Sequence, residues 1–416
     1  MRTLEEWLAW QSTLHPTAMD LGLDRVRAVH ASMGAPSPAK TVVTVGGTNG
    51  KGSCVRYLEE MLRSAGYRVG AYTSPHLERY NERVRIDGRE ADDAALCEAF
   101  ARVDAARGDT SLTYFEFGTL AAFDIFARAA LDVAILEVGL GGRLDAVNII
   151  DADCGVVTNV ALDHMDWLGP DRESIGREKA GIYRAGRPAI CGEPAPPASL
   201  VAHAGAIGAD LRVAGRDYAW QADGARWTYT KGGADRCELP LPAMPGEFQL
   251  ANAAAALAAL DALGIAVDAA AIRAGLAAAC VPGRFELRPE VATILDVAHN
   301  QAAATALAAQ LRRTRGTGRT LAVLGMLRDK AADEVAAALA PEVDQWFLAD
   351  LPGERGLAAS ALQARIAGAV AAGRITLVAA PADAWRLARQ AAAPEDRIVV
   401  CGSFLTVGAV RTALDS

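Results

Sequence analysis

Thr41-Val42-Val43-Thr44-Val45-Gly46-Gly47-Thr48-Asn49-Gly50-Lys51-Gly52-Ser53 decides how this chain folds. The β-branched run predicts a buried strand, and the glycines after it predict a tight turn. A helix is expected to follow, from about Cys54 to Ser64. Glycines let the backbone wrap closely, so that successive N–H groups point at phosphate oxygens. The helix N-terminus adds its positive dipole end, Lys51 can reach terminal phosphates, and the Ser53 hydroxyl is placed to bind Mg²⁺. Gly47, Thr48, Asn49, Gly50, Lys51, Gly52 and Ser53 are therefore candidate ATP contacts. A glycine-rich turn holding no ligand is the plainer alternative. Strand, glycines, lysine, hydroxyl and helix in one run argue against it. The loop departs from the general phosphate-loop pattern, because only three residues separate Gly46 from Gly50 and Gly52 stands between Lys51 and Ser53.

Outward from this loop, short β-branched runs alternate with Ala/Leu-rich helical stretches, the pattern of a parallel sheet covered by helices. Strands are expected at Thr41–Val45, Val69–Thr73, Val133–Val138 and Gly155–Val160. A later block repeats the pattern at Thr293–Val297, Thr320–Leu324, Gln345–Ala349, Ile375–Val378 and Arg397–Cys401. The fold class is thus α/β, with an N-terminal P-loop ATPase domain and a smaller C-terminal Rossmann-like doubly wound domain. The expected division is 1–283, a linker at 284–290 around the Pro-Gly break, and 291–416. Residues 213–240 read as an antiparallel hairpin region, and the Ala-rich stretch from Ala251 to Cys280 as a pair of helices rather than a membrane span.

Bulk properties narrow the function. At 416 residues two domains are the natural expectation. The formal net charge of −8 and the short basic runs argue against a nucleic-acid partner. Seven scattered cysteines with no C-x-x-C pair are expected to be reduced, buried thiols of a cytoplasmic protein. The acidic N-terminal residues do not resemble a signal peptide. Oligomeric state is not readable, and a monomer is the default. Basic residues are nearly all Arg, so a lysine inside the glycine loop suggests a need for a compact ammonium.

Leu131 to Asp145 is an apolar strand ending in Glu137, followed by Gly139, Gly141 and Gly142. An acid at that strand end belongs beside the phosphate loop, where Mg²⁺ takes hard oxygen ligands. Glu137 could also merely cap its strand; the glycines, which imply close backbone approach, weigh against that. The next strand leads to Asp163, His164 and Asp166. One histidine beside acids is more often structural, but its place after an adjacent strand makes His164 a candidate metal ligand. Lys179, on the helical stretch Ile175–Ile182, reads from the residues alone as a solvated helix lysine.

Gly47-Thr48-Asn49-Gly50-Lys51-Gly52-Ser53 resembles the loop of the Mur ligase superfamily, ATP-dependent amide ligases. Together with Met19–Val26, Thr73–Leu77, Thr113–Phe117, Glu137–Asp145, Glu178–Ile182, Pro282–Glu286, Leu295–Asn300, Gly325–Lys330 and Gly402–Phe404, it resembles the bacterial bifunctional dihydrofolate synthase/folylpolyglutamate synthase family nearly end to end. The resemblance implies that Ser53, Ser74, Glu137 and His164 ligate two Mg²⁺ ions and that Lys179 is carbamylated. It implies ATP contacts at Asn252, Arg284, Asp296 and His299, and catalytic parts for Lys51, Glu137, His164, Lys179 and Arg284. It places the pterin-bearing acid against Asp20, Leu21 and Gly22, Ser74 and His76, Thr113, Tyr114, Phe115 and Glu116, and Leu144, Asp145 and Ala146. A monovalent cation is a further implied cofactor. The expected substrates are dihydropteroate, folates, L-glutamate and ATP, joined through an acyl phosphate, with no nucleic acid and no membrane. Two departures stand out: Phe248 where the family has His before Gln249, and Gln301 where Asn-Pro is usual. A cell-wall ligase, a non-catalytic ATP-binding regulator and a phosphotransferase are the competing readings.

Overall fold

The computed structural model describes residues 2–17, 19–232 and 234–415, with the side chains of 234–238 outside the description. The chain forms two compact units. The first runs to Ala161 and continues through Met165–Ala243 and Glu247–Cys280. The second comprises Leu162–His164, Met244–Gly246 and the chain from Val281.

In the first unit the β-branched run forms β1 (Thr41–Gly46), buried at every position but its first. Around it stand β2 (Val69–Tyr72), β3 (Val84–Ile86), β4 (Arg89–Glu90), β5 (Val133–Glu137), β6 (Cys154–Val157), β7 (Pro188–Cys191) and β8 (Asp210–Val213). The sheet order is β4-β3-β2-β5-β1-β6-β7-β8. Strands from β2 to β8 run parallel, whereas β2/β3 and β3/β4 pair antiparallel. β5 and β6 flank β1, so the chain reverses its direction of travel across the sheet at β1. That is the switch point where open α/β sheets bind ligands. Strands β3, β4, β7 and β8, each of four residues or fewer, were not among the expected strands.

The strand ending at Val157 stops before the expected Val160. Thr158, Asn159 and Ala161 leave the ladder to bond the phosphate loop instead. The helix after β1 spans Lys51–Ser64, starting three residues earlier than expected. Its first turn is supplied by the loop itself. The region 213–240 carries the antiparallel meander β9 (Tyr218–Asp223), β10 (Arg226–Lys231) and β11 (Ala234–Pro240). The Ala-rich stretch forms helices Glu247–Leu263 and Ala269–Ala278, and both pack on the Lys51–Ser64 helix. Among the described residues no helix is long and apolar enough to cross a membrane.

The second unit is a six-stranded sheet ordered β12-β13-β17-β14-β15-β16. Its strands are β12 (Glu286–Arg288), β13 (Thr293–Leu295), β14 (Thr320–Leu324), β15 (Gln345–Ala349), β16 (Ile375–Val378) and β17 (Arg397–Cys401). All neighbours are parallel except β12/β13. Residues 286–288, expected within a linker, are therefore an antiparallel edge strand. The cysteine expectation needs one correction: Cys54, Cys154, Cys191 and Cys401 are buried, but Cys97 is half-buried and Cys280 exposed. All six are free thiols, and the Cys237 side chain lies outside the described residues.

Candidate active site

The phosphate loop is held from two sides. From β6, Thr158 Oγ1 donates to Asn49 O at 2.6 Å, Asn159 Oδ1 accepts from Asn49 N at 2.9 Å, and Ala161 N donates to Thr48 Oγ1 at 3.0 Å. From the Glu247–Leu263 helix, Gln249 Nε2 donates to Ser53 Oγ at 3.3 Å and Asn252 Nδ2 donates to Gln249 Oε1 at 3.2 Å. Gly50 has φ +82°, and a Cβ there would lie 2.3 Å from Asn252 Oδ1. Only glycine fits both the left-handed backbone and the contact. Lys51 Nζ folds back over the loop, donating to Gly47 O at 3.1 Å and Thr48 O at 3.2 Å. Asn252 thus stands against the loop, and Thr158, Asn159 and Gln249 are partners that spacing did not single out.

Glu137 faces the first turn of the Lys51–Ser64 helix. It pairs in register with Val45, is 4% exposed, and a Cβ on Gly52 would sit 3.7 Å from its Oε2. Ser74 N donates to the same Oε2 at 3.1 Å. Ser74 and the helix start at Gly52 thereby meet Glu137 at one strand end. Beyond Glu137, a Cβ on Gly142 would meet Glu178 O at 2.9 Å, so the glycine turn lies directly against the end of the Arg172–Ala180 helix. Arg143 N donates to Glu178 O at 2.8 Å and Arg143 pairs with the Glu178 carboxylate. Lys179 in that last turn is 3% exposed, which corrects the solvated-lysine alternative. Among the described residues no three His, Cys, Asp or Glu side chains form a metal cage. A carboxylate at this strand end is a hard-oxygen donor of the kind Mg²⁺ shares with phosphate and water.

The residues expected against the acid substrate fall into several local devices. Thr113 and Glu116 form a capping box for the helix Tyr114–Arg128, and Glu116, nearly fully buried, also accepts from Arg25 at 3.1 Å. Arg25 in turn holds Asp20 at 2.6 Å. Leu21 and Gly22 are half-buried beside them, as are Tyr114 and Phe115. A Cβ on Gly139 would lie 2.7 Å from the Phe115 ring, which lies against the turn after β5. Leu144 is half-buried and Ala146 buried. Asp145 accepts from Leu140 N at 2.8 Å and Val147 N at 3.1 Å, bracing the glycine turn. Burial pushes its carboxyl up to about 6 against those bonds. His76 accepts at Nδ1 from Arg83 Nε at 2.8 Å. Burial and the Arg83 charge lower its pKa to about 4, with Glu82 opposing.

In the second unit Arg284 Cζ lies 5.2 Å from the Phe404 ring centroid, and the His299 ring centroid 6.1 Å from it. Asp296 accepts from Phe285 N and Ala298 N and is raised by burial, with Arg284 opposing. Arg284, Asp296 and His299 therefore come together, with Phe404 as a neighbour that its Gly-Ser-Phe motif had marked. His164 lies in a buried polar group around Asp163. Asp163 accepts from Lys330 Nζ at 2.6 Å and from Asn300 Nδ2 at 3.0 Å, with His299 Nε2 at 3.6 Å. Burial would raise the Asp163 carboxyl, but His299, His164 and Lys330 hold it well below the usual range. Lys330 Nζ lies 3.4 Å from His164 Nε2.

Comparison with known proteins matches residues 45–191 to the Mur ligase middle domain and 283–404 to the Mur ligase glutamate ligase domain. The dihydrofolate synthase/folylpolyglutamate synthase of Escherichia coli K12 is 48% identical, over 99% of this chain and 96% of that protein. The structure of E. coli FolC in complex with DHPP and ADP superposes with a TM-score of 0.95, covering 100% of this chain and 98% of the other. A bifunctional folylpolyglutamate synthase/dihydrofolate synthase with Mn, AMPPNP and L-glutamate bound superposes at 0.94 with 46% identity, covering 100% and 99%. The phosphate loop at the switch point, the acid at the next strand end and this full-length similarity agree: the chain belongs to the dihydrofolate synthase/folylpolyglutamate synthase family of Mur ligases.

Proposed function

We propose that this chain performs both ligations in its family's name, joining L-glutamate to dihydropteroate and then to the γ-carboxylate of tetrahydrofolates, each driven by ATP. The observation that carries this reading is the clamped loop of residues 46–53 with the Glu137 carboxylate at its helix start. A carboxylate and an amine do not condense in neutral water unaided. The γ-phosphoryl group of ATP passes to the acid, the glutamate amine attacks the resulting acyl phosphate carbonyl, and inorganic phosphate leaves. The first step needs positioning and charge neutralisation more than a protein nucleophile.

Each residue then has a task. The loop N–H groups hold phosphate oxygens, and Lys51, turning from Gly47 O and Thr48 O, meets the terminal phosphates. Ser53, Ser74 and Glu137 fit Mg²⁺ by donor chemistry, and two such ions would neutralise charge on the transferring group. His164 is the fourth proposed ligand, on the resemblance to the family. Asn252, Arg284, Asp296 and His299 are proposed nucleotide contacts, and the segments around Asp20, His76, Thr113 and Asp145 proposed contacts for the pterin-bearing acid. Carbamylation of Lys179, which is 3% exposed in the last turn of its helix, is proposed on the resemblance to the family. Lys179→Ala should lose most turnover, with short carboxylic acids restoring part of it; unaltered turnover removes Lys179 from the site.

The deciding assay supplies ATP, Mg²⁺, labelled L-glutamate and each pteroate in turn. Products one glutamate heavier on dihydropteroate, and longer on tetrahydrofolate, are expected by mass. Phosphate release without any glutamylated product would overturn the reading.

A further inference from the structure

Arg83 is a buried cation, 8% exposed, with no carboxylate partner among the described residues. The neighbouring acids are committed elsewhere. Glu82 accepts the backbone N–H groups of Leu77, Glu78 and Arg79 at 2.7, 2.8 and 2.7 Å. Glu59 is taken by Arg85 at 2.9 Å and Arg56 at 3.0 Å. What surrounds Arg83 is aromatic: its Cζ lies 5.3 Å from the Tyr80 ring centroid and 5.6 Å from that of Tyr114. The two rings stand edge to face at 5.9 Å. Cation–π attraction offsets part of the desolvation cost but supplies no acceptor for the guanidinium N–H groups.

The guanidinium's one hydrogen bond among the described residues runs from Nε to His76 Nδ1 at 2.8 Å. A guanidinium only donates, so Nδ1 accepts and the ring proton sits on Nε2. The pair thus offers the outer guanidinium N–H groups and an imidazole N–H, a donor set with no internal acceptor. His76 is two residues from Ser74, whose N–H meets Glu137 at 3.1 Å. Tyr114 opens the helix whose first residues are expected against the acid substrate.

We propose that Arg83 and His76 form a carboxylate-binding subsite of this active site, an inference that rests on the ligase reading above. The planar fork suits a carboxylate bound through two parallel N–H bonds. Aromatic walls suit an organic acid, and phosphate already has its own loop at residues 46–53. The carboxylate comes from the pteroyl acid or from L-glutamate, and the test separates them.

Binding to the full-length chain is measured by calorimetry, without turnover, for dihydropteroate, L-glutamate, ADP, and the carboxamide counterpart of each carboxyl group. In Arg83→Met one acid should bind about 10- to 100-fold more weakly, the worth of a hydrogen-bonded charge pair. Its preference over the matching carboxamide should vanish, and the carboxyl concerned names the source. ADP affinity should stay within about twofold. Arg83→Lys, which keeps the buried charge, covers the case of an unstable Met variant and should show a smaller loss at the same carboxyl. Unchanged carboxylate preferences in either folded variant overturn the subsite, as does a loss of ADP affinity equal to that of the acids. Wild-type chain that binds these acids but never releases phosphate with glutamate present would sink the ligase reading and leave the subsite standing.

Discussion

Gly50 illustrates how a single residue is fixed by two independent demands. Its φ of +82° lies in the left-handed region, and its missing Cβ makes room for Asn252 Oδ1. Gly50→Ala meets both the backbone penalty, roughly 1–2 kcal/mol, and a clash that pushes the loop off its helix. Nucleotide affinity should fall by at least about tenfold, by titration with a fluorescent nucleotide, and normal binding would show the loop tolerates a side chain. Asp145 makes a second prediction. Its carboxyl is raised from 3.8 to about 6, so between those values the native state holds a proton that the unfolded chain has released. Stability contributed by this group therefore declines as pH rises through that window and is flat above it. Relative to wild type, Asp145→Asn should gain stability between pH 4 and 6.5, by about 3 kcal/mol at most. Denaturant melts at both pH values check this, and a constant difference would refute it.

At the scale of elements, the Tyr114–Arg128 helix shows a segment with a structural task of its own. Thr113 and Glu116, proposed against substrate, also close the capping box at the start of this helix. Thr113→Ala should cost about 1 kcal/mol. Arg25→Ala, which strands the buried Glu116 carboxylate, should cost about 2 kcal/mol. Urea melts that show no loss in either would argue that both side chains are free for ligand. The Thr-x-x-Glu spacing of the box is local, whereas its partner Arg25 lies 91 residues away. Strand ends were misjudged for a related reason. Thr158 is as β-prone as Val157, and only its bond to Asn49 O takes it out of the ladder. The antiparallel β12 escaped notice because three residues carry too little periodicity to be read.

At the scale of the molecule, the phosphate loop belongs to the first unit and the Arg284–His299–Phe404 group to the second. ADP at about 100 times its Kd should stabilise the loop-bearing unit by roughly 2.7 kcal/mol. Scanning calorimetry should show that shift in wild type and lose it in Gly50→Ala at the same ADP concentration. The chain's local grammar determined a good deal unaided: alternating strands and helices, a glycine loop able to grip phosphate, and an acid closing the neighbouring strand. These are properties of consecutive residues, whose backbone preferences and spacing act without reference to distant chain. Tertiary structure alone decided which polar groups meet. Arg83 with His76, Asp163 with Lys330, and Gln249 with Ser53 are partnerships made by sheet order and helix packing. Side chains of the same type are interchangeable until folding removes water from some of them and leaves each buried charge needing a particular neighbour.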